Sequence, residues 1–374
     1  MRVAFRRAAA AAVLLAALAA CREEGPRPTF HAEGNPDMLS AWGVVAVKDG
    51  RLALAEGVLP YDLASPLFTD YAGKLRTVWM PEGKAAAYHP TEAFDFPVGT
   101  VITKTFWYPT GGGKVLPVSA APQSGAEGLD LKAVRMVETR VLVRREAGWT
   151  ALPYVWNEEQ TEARLARTGA VVPLTLARDG QEDATFSYVV PNANQCAGCH
   201  TPDHVGRAVM PIGPKARHMN RDFPYADGTR NQLVRFAEAG YLTGAPAPEQ
   251  APRNADWTDP AAPLDARARA YLDANCGHCH SVKGAAKTSG LYLDAGVTDW
   301  RELGLCKPPV AAGQGTGDRK FDLVPGKPDE SILVYRMDSD KPAVMMPELG
   351  RSLIHGEGVE LIRAWIAARE GGCG

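Results

Sequence analysis

From about Leu39 to Val190, apolar positions recur with a period near two, the spacing of strands whose two faces see different surroundings. Thr100–Tyr108 (TVITKTFWY) is rich in β-branched and aromatic residues. In Val134–Arg144, Val137, Thr139, Val141 and Val143 fall on one face, with Glu138, Arg140 and Arg144 on the other. Trp149–Trp156 and Thr185–Val190 read as further strands, and Gly111-Gly112-Gly113 as a turn or loose loop. Asn157–Arg167 (NEEQTEARLAR) is predicted to be a short helix capped by Asn157. The pattern predicts a β-rich domain over 39–190, a sandwich or a bent sheet. Its aromatics, Trp79, Trp107, Tyr108, Trp149, Tyr154 and Trp156, are expected in the core.

Beyond Val190 the period changes. A helix is predicted over Asn231–Gly240, closed by its glycine. Residues 246–263 carry five prolines and read as an extended linker between a region at 191–245 and a last domain at 264–374. In that last domain Leu264, Ala268, Tyr271 and Leu272 share a helical face, as do Ile362, Trp365, Ile366 and Arg369 near the end. The expected architecture is therefore multidomain: a β-rich N-terminal domain followed by mainly α-helical modules, whose type the cysteine motifs below specify as that of cytochrome c haem modules.

The helix that starts at Leu264 runs into Cys276-Gly277-His278-Cys279-His280, and Cys196-Ala197-Gly198-Cys199-His200 lies upstream. Both are Cys-x-x-Cys-His, the attachment signature of c-type haem. Two thiols three positions apart can add to the two vinyl groups of one haem edge, and the adjacent histidine can reach the iron. The chain has 7 Cys and 8 His in 374 residues. One such match is then expected roughly 0.003 times by chance, which predicts two covalently attached haem c groups on Cys196, Cys199, Cys276 and Cys279. His200 and His280 are the expected proximal ligands. Met346, just before Pro347, is the candidate distal ligand of the second haem, with Met345 and His355 as alternatives. For the first, Met210 before Pro211 is the leading candidate, with Met219, His204 and His218 left open.

Arg2, Arg6 and Arg7 precede an apolar run from Ala8 to Ala17 that is short for a membrane span. Leu18-Ala19-Ala20-Cys21 follows, resembling the lipobox of bacterial lipoproteins. Residues 1–20 are thus expected to be a signal peptide, Cys21 a lipidation site and 21–38 a tether. Arg22, rather than Asp, follows the cysteine, so the outer membrane, facing the periplasm or the cell surface, is the expected location. Export disfavours zinc, as does the long stretch of chain between the two cysteine pairs. Cys306 and Cys373 remain, either as a disulfide or as two separate thiols. A net charge of −2 gives nucleic-acid binding no support. Asp62, Asp70, Glu158 and Glu159 show no spacing that marks an acid–base pair and are expected in solvated or capping roles.

The chain also resembles a family of bacterial lipoprotein dihaem c-type cytochromes of the Shewanella type, often encoded beside parallel β-helix repeat proteins. The likeness rests on Ser65–Gly83, Tyr154–Ala163, Tyr188–His200, Pro211–Asp222, Arg267–His280, Cys306–Gly317 and Met345–Arg351. It implies two covalent haems, a lipid anchor, redox work with a protein donor or acceptor, and a β-helix repeat protein as a partner; it carries no reaction. Two other readings stay open. A dihaem peroxidase would need an open iron at the first haem and an acid–base residue such as His204, His218 or Glu238. A binding module would expose an aromatic patch with Trp79 and Trp107.

Overall fold

A computed structural model describes residues 27–118, 128–310 and 312–374. The expected signal peptide and the expected lipidation site Cys21 lie outside the described residues. Among those described, no helix is long and apolar enough to cross a membrane.

Two hairpin-forming strands, β1 (Val45–Lys48) and β2 (Arg51–Leu54), open the chain, followed by β3 (Leu59–Tyr61), β4 (Gly73–Trp79) and the short β5 (Ala86–Ala87). Then come β6 (Val101–Gly111), β7 (Lys114–Val115), β8 (Leu129–Asp130), β9 (Val134–Arg145), β10 (Gly148–Trp156), β11 (Ala163–Leu165), β12 (Ala170–Leu176) and β13 (Ala184–Val190). A nine-stranded curled sheet runs β11-β10-β9-β6-β7-β12-β13, with β4 also on β6 and β3 on β4; β1, β2 and β8 form a second, three-stranded sheet. Four strands read from the sequence are thus β6, β9, β10 and β13, each within a residue or a few of its expected ends.

Strand alternation gives the large sheet two unlike faces. On one, Leu75, Val101, Val141, Val143 and Leu152 pack with Trp42, Val45, Leu52 and Leu129 of the smaller sheet. On the other, Val78, Ile102 and Leu59 pack against Met219, Leu233, Phe236 and Leu242 from the region after β13. That second core is shared, so residues 191–245 are not a separate module. Their elements are short: α1 (Ala193–His200), α2 (Ala216–Met219), the hairpin β14 (Asp222–Tyr225) and β15 (Gly228–Asn231), α3 (Gln232–Glu238), and β16 (Leu242–Thr243), which pairs in parallel with β5. Asn231 caps α3 and Gly240 follows it at φ 73°, close to the expected helix.

The stretch at 246–263 is packed rather than extended. Asn220 donates to the carbonyls of Pro248 and Ala251, Ser65 to that of Ala255, and Trp257 is buried beside Tyr271. The last third holds α4 (Leu264–Leu272), α5 (Ile332–Met337) and α6 (Gly356–Ala367), separated by turns. α4 and α6 share a core of Ala268, Tyr271, Leu272, Ile362, Trp365 and Ile366, and Asp265 accepts from Trp365 Nε1 at 2.8 Å.

The expected fold class is therefore corrected. The chain is mostly β, with 27% strand against 19% helix, and no helical haem-module cytochrome fold is evident. The haem signatures prompted the expectation of helical modules, but the chain between them is short elements, part of which shares the sheet's core. The chain after them is mainly turns, with two short helices that share a core with α4. Asn157–Arg167 is also not a helix. Asn157 Oδ1 accepts from the amides of Thr161 and Glu162, which closes a turn, and Ala163–Leu165 then pairs with β10 as an edge strand. Asp62 and Asp70 are both buried, not solvated. Tyr108, Tyr154 and Trp156 are buried, and Trp79 and Trp107 pack against the core of the two sheets, which removes the exposed aromatic patch of a binding module.

Candidate functional site

α1 carries the first signature. Asn192 and Gln195 cap it reciprocally, each side chain bonding the other's backbone N–H at 3.0 Å, which fixes the helix start three residues before Cys196. The second signature continues α4 through a wider turn over Asp273–Gly277. Asp273 anchors that turn. Its carboxylate accepts from Arg217 at 2.7 and 2.8 Å and from Asn254 at 2.9 Å, and lies 3.2 Å from His218 Nε2. Burial would raise Asp273, but the bonds from His218 and Arg217 hold it well below the usual carboxylate range. Asn275 adds a tie to the sheet region by accepting from the amide of Phe68 at 2.8 Å.

These anchors bring the two signatures together. Cys199, His278 and Cys279 have ligand atoms within 4.8 Å of one another. The loops that follow are joined as well, with the backbone N–H of His204 donating to the carbonyl of Lys283 at 2.9 Å. Hydrogen bonding between the two thiols pushes Cys199 down to about 4 and Cys279 up. Burial pushes Cys276 up to about 12 and also raises Cys196.

Each terminal histidine is oriented by a backbone carbonyl. His200 Nδ1 lies 2.8 Å from Met210 O, and His280 Nδ1 lies 3.2 Å from Leu291 O. Such a bond fixes the tautomer and leaves Nε2 as the available donor, the usual arrangement behind a metal-binding imidazole. Burial holds both rings neutral, at about 3 for His200 and about 4 for His280. A cleft beside them is lined by Cys196, Cys199, His200, Cys276, His278 and Met346. It adjoins a cavity of about 700 Å³ between the large sheet and the signatures, in the size range of a cofactor site. His280 lies outside the walls of both. The first signature thus has the residue types a covalent haem would need beside a mostly apolar space, two thiols and an oriented neutral imidazole, whereas Cys279 and His280 of the second line neither space.

The distal candidates separate. Met346 lines the cleft with Cys276, while Met345 is buried in the core beside it. Met210 is 36% exposed, and its carbonyl is the group behind the His200 ring. The residue also lines the large cavity together with His200. Met219 is fully buried in the core and His204 is exposed. His218 is buried on the wall of the large cavity, and its Nδ1 has no hydrogen-bond partner among the described residues. Glu238 is exposed, 3.8 Å from Arg230. His355 stacks on Phe68 at 4.1 Å and bonds Tyr271 Oη at 2.9 Å, the surroundings of a packed histidine. Cys306 and Cys373 are joined in a disulfide that ties the chain end back to the turn before α5.

Sequence reading missed the charges on the wall facing the signatures. Lys74, Arg76, Lys104 and Arg140 all line the large cavity. The signal was available: Arg76, Lys104 and Arg140 have the same parity on three strands, and only the pairing of those strands was needed to see it. No family model, curated protein or solved structure matches this chain.

Proposed function

We propose that the chain carries two covalently attached haem c groups and passes single electrons between redox partners. The observation that supports this most strongly is the meeting of the two Cys-x-x-Cys-His segments at Cys199, His278 and Cys279. Segments this far apart in sequence gain nothing from meeting unless their cargoes work together. Cys196 and Cys199 would hold one group and Cys276 and Cys279 the other, with His200 and His280 as the oriented imidazoles. Bound there, haem supplies a one-electron couple, and a thioether ligand such as Met346 raises its potential. Cys21 would anchor the exported chain by lipid to the outer membrane, facing the periplasm or the surface. The donor or acceptor would be a redox protein, and the family resemblance adds a parallel β-helix repeat protein as a partner.

A second reading is a peroxidase-like enzyme with an open iron at the first haem. The position of Met210 behind His200, and the buried His218 on the cavity wall, favour it. A third occupant, zinc, is chemically suited to Cys199, His278 and Cys279 but would leave Cys196 and Cys276 without a role.

The deciding experiment is an absorption spectrum of the purified protein, oxidised and reduced, with haem quantitation, metal analysis and added carbon monoxide. Two haems per chain indifferent to carbon monoxide are the expected result. One haem that binds it moves the assignment to the enzyme. A colourless protein with one zinc overturns both.

A further inference from the structure

The large sheet places three cations in one row. Arg76 on β4 is directly opposite Lys104 on β6, and Lys104 is directly opposite Arg140 on β9. Like charges directly opposite one another on a sheet repel, and burial strengthens the repulsion. Lys74, two residues before Arg76, joins them on the same face.

The structure offsets this only at the ends of the row. Asp62 bonds Arg76 at 2.5 Å, and Glu138 bonds Arg140 at 2.9 and 2.5 Å. Tyr188 Oη donates to Glu138, and Arg140 lies over the Phe106 ring at 4.4 Å. Lys104, in the middle, has only the same ring, 5.2 Å away. Among the described residues it makes no hydrogen bond or ion pair. Burial, then Arg140 and Arg76, push its ammonium down to about 7.

The other carboxylates on the cavity wall are occupied elsewhere. Asp273 holds Arg217, Glu92 lies 3.8 Å from Lys215, Asp203 accepts from Val205 and Gly206, and Asp294 from Gly296. Cys196, Cys199 and His200 line the same cavity as the row.

We propose that Arg76, Lys104 and Arg140 form a carboxylate-binding row that takes an anion inside this cavity. Two sources share that chemistry. One is the pair of side-chain carboxylates of a haem held at Cys196 and Cys199, a source that rests on the function proposed above. The other is a diffusible dicarboxylate.

The test uses thermal unfolding of the full haem-loaded chain as wild type, Lys104→Met and Lys104→Arg, each with and without succinate. Without an anion, Lys104→Met relieves repulsion and leaves the chain as stable or more so. With one, it lowers Tm and Lys104→Arg restores it. If the haem supplies the carboxylates, succinate raises Tm only in a Cys196→Ala/Cys199→Ala chain; if the ligand diffuses in, succinate raises that of the loaded wild type too. In either case Lys104→Met weakens succinate about tenfold or more, the loss of one charge-assisted contact. Should the double cysteine variant not fold, the comparison of the Lys104 variants in the loaded chain still decides. The proposal is overturned if Lys104→Met is at least as stable as wild type both with and without succinate, if succinate protects that variant equally well, or if it protects no chain. A pyridine haemochrome spectrum on the same samples tests the haem separately. Its absence, with Lys104-dependent protection by succinate intact, would remove the haem and keep the anion site.

Discussion

The two Cys-x-x-Cys-His segments share five positions and little else. The first sits on a capped eight-residue helix laid over a charged sheet face, with its histidine on the walls of both the cleft and the large cavity. The second is the end of a helix rooted in an apolar core, with Gly277 buried, and His280 turned toward Leu291. The same signature is thus mounted once on an open wall and once in a packed corner. A signature of this kind specifies attachment chemistry; what surrounds it decides solvent access, the sixth ligand and the mechanical cost of change.

The largest effect expected from breaking this contrast is at Asp273, which seats the packed segment against the open one. Asp273→Asn leaves Arg217, 11% exposed, facing a neutral amide. Removing one partner of a buried ion pair costs about 3 kcal/mol or more, so denaturant unfolding should show a large fall in midpoint. A loss below about 1 kcal/mol would mean that the two segments are held together by something else.

A second contrast lies in the methionines. On the proposed function, Met346→Ala should open an iron to carbon monoxide and remove the weak long-wavelength band that a thioether-ligated ferric haem would show, whereas Met210→Ala should leave the spectrum as it was. Equal loss in both variants would erase the distinction drawn from the position of Met210 behind His200.

Acid should act through histidines held neutral on both sides, His355 as well as His200 and His280. Burial holds His355 neutral, down to about 3, between Phe68, Trp257 and Tyr271. A depressed folded value means that the unfolded chain takes up the proton first. The stability contributed is complete above about pH 6.5 and is lost as pH falls toward 3, by up to about 3 kcal/mol at pH 4. A His355→Phe variant should show a shallower loss across that window in pH-dependent melts.

How much of this was legible depended on distance along the chain. Strand alternation in Val134–Arg144 and the helical face of Leu264–Leu272 are local patterns, and both elements form. Asn157 was read as a helix cap because nothing local reveals that β10 needs an edge partner. Glu138 and Arg140 were placed correctly on a polar face, but that face looks into a cavity rather than into water, and only the pairing of β4, β6 and β9 shows it. The nearness of Cys199 to Cys279 depends on Asp273, Asn275 and the Pro-rich stretch packing down, each a long-range contact. Zinc was disfavoured by expected export and by the separation of the cysteine pairs; the second reason does not survive in three dimensions, and the leftover Cys196 and Cys276 replace it.

The smallest expected effect probes the two glycines inside the signatures. A Cβ on Gly277 would lie 2.9 Å from Asp294 Cα, a backbone atom that cannot step aside. A Cβ on Gly198 would meet only Leu349 Cδ1, at 3.5 Å, the far end of a flexible side chain. Gly277→Ala should therefore cost about 1 to 3 kcal/mol through overpacking. Gly198→Ala should be neutral or stabilise by up to about 1 kcal/mol, since alanine favours α1. Both glycines have helix-like or ordinary backbone without positive φ, so the difference isolates packing from conformation. Equal costs at the two positions would mean that both segments are equally confined, and the contrast between an open wall and a packed corner would fall.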